Sequence, residues 1–441
     1  MGDARTIQEK VRAAGVVGAG GAGFPTHVKF ASKAEIFLVN GAECEPLLKV
    51  DQQLAEKYAD LLIRGLHLGM QATGAREGVI ALKAKYGPAV AALTPRLQGN
   101  MRIHILRDVY PAGDEVITIW MATGRRVPPA ALPLDVGVIV NNVQTLINVA
   151  RAVDEDMPVT LRTLTVTGAV RRPVTVTVPI GTAFGELLEL AGGATIPDPV
   201  YIAGGPMMGS LLGDLSEPVT KGSGGIIALP KTHILIRRRT QPQQVQLRIA
   251  RAVCEQCRLC TELCPRHMIG HELPPHLIVR SINYNNIGNP SVLLSALTCS
   301  ECAVCEAWAC PVDISPKRLN QALKAEFRSQ GARYTGSLRD ADPMTPHRLV
   351  PISRLISRLN IGAYNRKAPL EENEYRPQRA ALKLRQHIGA PAVPVVQAGE
   401  IVESGQLVAD IPEGALGARV HASIAGRVEA IDANAIHLSA I

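Results

Sequence analysis

The sequence predicts a multidomain α/β protein that carries a helical, cysteine-rich module and ends in short β-strands. Three observations predict it. Apolar runs of strand length alternate with helical stretches to about residue 155. Eight of the nine cysteines fall in two short runs between residues 254 and 310. From Ala390 onward, short alternating segments are broken by glycines. At 441 residues and 46% apolar, the chain can bury several cores.

Residues 1–15 suit a short helix capped at Thr6, with Glu9 three residues later and Gly15 ending it. Gly18, Gly20, Gly21 and Gly23 then precede Phe24 and Pro25. These are the letters of a dinucleotide loop, but a helix precedes them where a strand should, and Pro25 stands where the following helix should pack. Such a loop still offers bare backbone N–H groups to a phosphate or flat ring, and Lys29 adds positive charge. Strands at 36–39, 78–82 and 136–140 and a helix over 51–72 complete an α/β unit. A strand at 164–167, a turn at 171–173, a strand at 174–178 and a helix over 182–190 suggest a β-grasp unit. Residues 231–246 are basic and polar and are expected to be a linker. Ser315 at N-cap and Pro316 at N1 open a helix whose apolar face holds Leu319, Leu323 and Phe327. Residues 331–385, charged and broken by prolines, are expected to be an extended connector with at least one helix.

The cysteine spacing is that of a two-cluster, ferredoxin-type iron–sulfur module. Cys254, Cys257 and Cys260 stand at i, i+3 and i+6, and so do Cys299, Cys302 and Cys305. Each run closes with a fourth cysteine before proline, Cys264 and Cys310, which in such modules serves the other cluster. The expected sets are therefore Cys254, Cys257, Cys260 and Cys310, and Cys299, Cys302, Cys305 and Cys264. Structural zinc usually takes separated pairs rather than triplets, and disulfide frameworks belong to small secreted chains. One departure stands out: four residues separate Cys305 from Cys310, where three are usual.

No apolar stretch is long enough to span a bilayer, and the polar N-terminus does not suit a secretory signal, so a cytoplasmic setting is expected. Residues 231–385 hold 24 Lys and Arg against 12 Asp and Glu, while the remainder holds 23 against 27. Aromatic residues make up only 3% of the chain, so the basic segment lacks a stacking platform and nucleic-acid binding is not expected. The excess charge suits anionic clusters or an acidic partner. Cys44, between Glu43 and Glu45, is expected to stay protonated through like-charge repulsion. His267 and His271 are expected at the surface.

The segments around Gly18–Lys29 and Asn40–Pro46, followed by Tyr110, Gly113, Asp114, Glu115, Asn141, Asn142 and Thr145, resemble the flavin and NADH site of the complex I flavoprotein subunit. They resemble more closely the RnfC component of the Rnf complex, as do residues 204–209 and 219–225. The tail resembles a lipoyl-type barrel-sandwich, but no lysine follows Lys383 to carry a swinging arm, so a structural or docking role is expected. With the flavin segment first and the sandwich last, the chain is similar to cobalamin reductases of propanediol-utilisation microcompartments.

That resemblance implies FMN, two 4Fe–4S clusters and NADH, with cobalamin as substrate. It implies FMN contacts from Gly18, Gly20, Gly21, Lys29, Asn40, Glu43, Tyr110, Gly113, Asp114, Asn141, Asn142 and Thr145. Phe24 would stack on the nicotinamide or adenine, and Glu45 and Glu115 would bind NADH. Ala42 departs from an acidic residue in complex I relatives. No D-x-H-x-x-G segment is present, which points to cobalamin as a substrate meeting an electron-donating surface. The implied domains are an FMN/NADH unit at 1–158, a soluble-ligand-binding β-grasp at 159–230, the cluster module at 246–330, a connector at 331–389 and the sandwich at 390–441. An adenosyltransferase and shell proteins are the implied partners. The alternatives are a peripheral Rnf-type electron-transport subunit and a cluster-bearing scaffold protein.

Overall fold

The computed structural model describes residues 3–284, 289–372 and 375–441. Its first sheet is fully parallel, in the order Met101–Leu106, Glu77–Lys83, Ile36–Gly41 and Val138–Asn142. Successive side chains of a strand face opposite ways, so two apolar faces must be covered. Phe37, Val39, Ile80, Leu82 and Ile139 pack toward the helices Ala59–Thr73 and Val143–Asp154. Ile36, Leu38, Val79, Ala81 and Val140 pack toward the helix Glu115–Thr123. The chain builds this sheet outward in one direction and then places its last strand on the other side of the first. The sheet therefore reverses between Ile36–Gly41 and Val138–Asn142, where open α/β sheets leave a crevice beyond the strand ends.

The second sheet joins Val174–Pro179, Leu161–Gly168, Gly225–Pro230, Pro199–Ala203 and Ser210–Leu211. Gly225–Pro230 runs parallel to Leu161–Gly168, and the other neighbours are antiparallel. The helix Phe184–Leu190 buries Phe184, Leu187 and Leu188 against this sheet, giving the β-grasp arrangement. The tail forms two antiparallel sheets. Its core, with Leu382, Val402, Val408 and Ile436, is continuous with Ile7 and Val11 of the first helix. No helix among the described residues is long and apolar enough to cross a membrane.

Several elements differ from the sequence expectation. The first helix runs Ala4–Ala13 with Asp3 at its N-cap, so Thr6 lies inside its first turn rather than capping it. The helix expected over 51–72 breaks at Tyr58 into Val50–Lys57 and Ala59–Thr73. The strand expected at 136–140 starts two residues later, after the turn Pro133–Val136 and Gly137, whose φ is +71°. The expected linker is instead two helices, Ile234–Thr240 and Gln243–Val253. Two apolar residues within the basic run, Leu235 and Ile236, anchor it in a core with Tyr110, Ile202 and Ile227. The expected connector contributes Arg379–Lys383, which pairs with Ala435–Ala440, so the C-terminal sheet draws on chain before residue 390.

Candidate functional site: a strand-end crevice joined to a thiol-lined module

The residues expected to hold the flavin gather at the reversal of the first sheet. Asn40 ends its strand and donates from Nδ2 to the Gly113 carbonyl at 2.9 Å. Thr145 Oγ1 accepts the Ala19 N–H at 2.8 Å, which ties the glycine loop to the helix Val143–Asp154. Asn142 caps that helix by accepting the Gln144 N–H, and its Nδ2 donates to Asp51 at 2.7 Å. Glu43 accepts from Asp51 N–H at 2.9 Å, from the Val50 N–H, and from Gln52 Nε2 at 3.0 Å. It thereby caps the helix Val50–Lys57, where a carboxylate also meets the positive helix end. The glycine loop closes on itself through Gly18 N–H to the Phe24 carbonyl at 2.9 Å. Gly20 and Gly21 are exposed, Gly21 has a φ of +109°, and Phe24 is half-buried.

Lys29 and Glu45 are engaged differently from the expectation. Lys29 Nζ lies 3.0 Å from Glu115 Oε1 and 2.8 Å from the Val140 carbonyl, so it spans the sheet end and pairs with one of the two expected NADH acceptors. Glu45 accepts the N–H groups of Met207 and Met208, both at 2.9 Å. It fastens residues 204–209 of the β-grasp unit, and neither partner lies near it in sequence. Burial pushes its carboxyl up, against the two amides and Arg239. Cys44 is pushed up to about 12, first by burial, with Lys83 opposing and Glu45 adding to it; like charge alone is the smaller cause.

Sequence reasoning missed Arg162. It sits in a buried strand position, only 5% exposed, and donates to the Ala19 carbonyl at 2.8 Å and the Ser223 carbonyl at 2.5 Å. Burial lowers it to about 10, with Asp51 opposing. The signal available was a charge interrupting an apolar alternation. Its Nη1 and the buried Asn141 Nδ2 are donors without partners. Buried donors rarely go unmet, so these two, with the bare loop amides, fit an anionic, acceptor-rich group such as a flavin nucleotide.

The flavin side meets the cysteine module at several points, two of them beside cluster cysteines. Tyr110 donates from its hydroxyl to the Cys302 carbonyl at 2.8 Å. Asp114 accepts the Val116 and Ile117 N–H groups at 3.1 Å as a helix cap, and its other oxygen meets Arg266 at 2.9 Å. Arg266 follows Cys264 and Pro265 directly.

Within the module, Cys264, Cys299, Cys302 and Cys305 line one small cavity with Arg266, Lys317 and Asn320. Among the described residues, no three His, Cys, Asp or Glu side chains close on a single metal ion. The thiols of Cys257, Cys310 and Cys254 lie close enough to Cys260 to act on it; burial first, then these three, push it up to about 12. Both runs share one backbone pattern. The residues two and four after the first cysteine have left-handed φ: Gln256 +55° and Arg258 +67° in one, Glu301 +62° and Ala303 +65° in the other. Non-glycine residues adopt this conformation at a cost, and alternating hands turn successive N–H groups toward one anion. Glu301 N–H and Ile314 N–H reach the sulfurs of Cys299 and Cys310 at 3.4 Å. Four soft donors per site and inward amides fit an anionic iron–sulfur cluster. The extra residue before Cys310 is taken up by a π-turn over Cys305–Ala309. His271 is buried rather than at the surface, its Nε2 2.8 Å from the Val127 carbonyl, because it packs the module against the first domain.

Four family models match the chain in order: the Nuo51 FMN-binding domain at residues 11–151, the SLBB domain at 163–210, a 4Fe-4S dicluster domain at 253–315 and the RnfC barrel sandwich hybrid domain at 363–440. Cobalamin reductase PduS of Salmonella typhimurium is 63% identical over 430 residues, 98% of this chain and 95% of its own. The chain belongs to the PduS family. The PduS of Citrobacter freundii is 61% identical over 98% of this chain and 96% of its own. The C component of the Na(+)-translocating ferredoxin:NAD(+) oxidoreductase complex of Acetobacterium woodii is 37% identical over 60% of this chain and 59% of its own. The likeness to the two PduS proteins runs over nearly the whole chain, whereas that to the Acetobacterium woodii protein spans 60% of it.

Proposed function

We infer that this chain is an NADH-dependent cobalamin reductase, with electrons passing through FMN and two 4Fe–4S clusters to the cobalt. The observation that carries the reading is the double junction of Tyr110 to Cys302 and Asp114 to Arg266, which sets the strand-end crevice against a thiol-lined cavity. A scaffold protein has no need of that junction. The near full-length likeness to cobalamin reductases favours this acceptor over an Rnf-type role. Bound flavin supplies the exchange between two-electron and one-electron chemistry, and the clusters carry single electrons. The chain's own residues position these groups. Asn40, Asn141, Asn142, Arg162, Thr145 and the glycine-loop amides would hold the flavin, and Glu115, paired with Lys29, and Phe24 would serve the nicotinamide.

Cys254, Cys257, Cys260 and Cys310 would hold the outer cluster, and Cys264, Cys299, Cys302 and Cys305 the inner one. Cys257 is exposed, and Val253, Leu259 and Val312, beside three ligands of the outer set, are 36–38% exposed. This apolar rim suits the flat face of a corrin approaching as substrate. We propose a role in propanediol utilisation and a microcompartment location, with an adenosyltransferase and shell proteins as neighbours. The test is anaerobic NADH oxidation with hydroxocobalamin, following the cobalt absorbance bands. Flavin- and iron-replete protein that oxidises NADH without reducing cobalt would refute the reading.

A further inference from the structure

We propose that Asn320 and Arg266 donate hydrogen bonds to the sulfurs of the inner cluster and thereby raise its reduction potential. The inference rests on the cluster reading above, and not on the identity of the final acceptor.

Asn320 is 1% exposed, and neither its Nδ2 nor its Oδ1 has a partner in the protein. Leaving such an amide unmet destabilises the fold, so a buried helix position would ordinarily carry an apolar residue. The side chain cannot simply turn away. It belongs to Pro316–Ser329, whose start is pinned by Ser315 accepting the Arg318 N–H and by buried Pro316 and Leu319. What Asn320 faces is the cavity shared with Cys264, Cys299, Cys302 and Cys305. Sulfur is an acceptor there, and the Glu301 carboxylate in the same lining is already met by Gln321 and Lys324.

Arg266 walls the same cavity, and its Nε likewise has no partner. Its other end is occupied by Asp114 at 2.9 Å, so the charge is answered while one N–H remains free. The outer set already shows the same chemistry between protein groups: Gln256 Nε2 lies 3.2 Å from Cys254 Sγ. One-electron reduction adds one negative charge to a cluster. Donors to its sulfurs stabilise that form more than the oxidised one, and hydrogen bonds to sulfur are an established lever on potential. Asn320 and Arg266 are positioning residues in this sense; they exchange no electrons themselves.

The test is an anaerobic redox titration of the full chain with both clusters loaded, read by paramagnetic resonance and driven by dithionite, without NADH or cobalamin. In Asn320→Leu, of similar shape but without the donor, one midpoint should fall by about 59 mV, a tenfold change in a one-electron equilibrium. It should be the midpoint belonging to the signal lost in Cys305→Ala, and the other should not move. If the leucine variant does not load, Asn320→Met, unbranched and likewise without a donor, takes its place with the same expected direction. Arg266→Lys keeps a cation toward Asp114, removes the Nε–H, and should lower the same midpoint. Unchanged midpoints in these loaded variants would overturn the proposal while leaving the cobalamin reading intact. Wild-type protein that binds no clusters would overturn both.

Discussion

Glu45→Gln should loosen the β-grasp loop from the first domain by a measurable amount. The carboxylate accepts two N–H groups, from Met207 and Met208, each at 2.9 Å. A carboxamide has one acceptor oxygen, so its NH2 would face a second donor and leave one N–H unmet. A buried unmet donor costs about 1–3 kcal/mol; water reaches part of this residue, which puts the cost at about 1–2 kcal/mol. That is a 5- to 30-fold rise in the open population of residues 204–209. Amide hydrogen exchange of the loop reads this directly, because local opening is what such exchange measures. Gly205→Ala provides a second approach, since its added carbon would overlap Glu45 Oε2. Loop exchange within twofold of wild type in both variants would refute the clamp. A raised NADH requirement with unchanged exchange would restore Glu45 to direct nicotinamide binding.

Three further outcomes are expected. Cys254→Ala and Cys310→Ala should remove the same paramagnetic signal, and Cys264→Ala and Cys302→Ala the other; signals paired otherwise would refute the crossed assignment. Gly20→Val should empty the flavin site while both clusters stay, as judged by flavin absorbance and iron content. An added carbon there already sits 3.5 Å from Asn142 Cβ, so the branches of valine would press on that helix cap. Finally, burial, then Arg266, lowers His271 from 6.5 to about 4. A histidine depressed on folding gives its full stability above pH 6.5 and loses it as pH falls toward 4. The ceiling is about 3 kcal/mol at 1.36 kcal/mol per pH unit. Denaturant titrations at pH 7 and 5 should show this loss, and His271→Gln should flatten it.

The parts legible in the sequence were those written in short-range pattern. Continuous apolar runs of strand length marked Ile36–Gly41 and Glu77–Lys83 because both sheet faces are covered. Ser315 and Pro316 marked a helix start because capping is local chemistry. Cysteine spacing marked the module because one turn of chain must reach neighbouring corners of one cluster. What stayed hidden depends on partners far apart in sequence. Glu45 meets amides 162 and 163 residues away, and Arg162 reaches Ala19 across 143. Resemblance placed Lys29 on a phosphate, but only the folded sheet end shows Glu115 and Val140 competing for it. The linker was misjudged because three arginines outweighed Leu235 and Ile236 in local composition.

The paired junctions between the first domain and the cysteine module also bear on timing. Electron-transfer proteins often rely on a domain that swings between donor and acceptor, and such turnover slows as the medium thickens. Here Tyr110 is buried against the ligand loop, and Asp114 and Arg266 are held in an almost covered ion pair with side chains 11% and 15% exposed. With the donor crevice and inner cavity clamped on both sides, the gap an electron crosses is fixed by the fold. The internal step should therefore keep its rate in a viscous medium, and only the arrival and departure of soluble reactants should feel it.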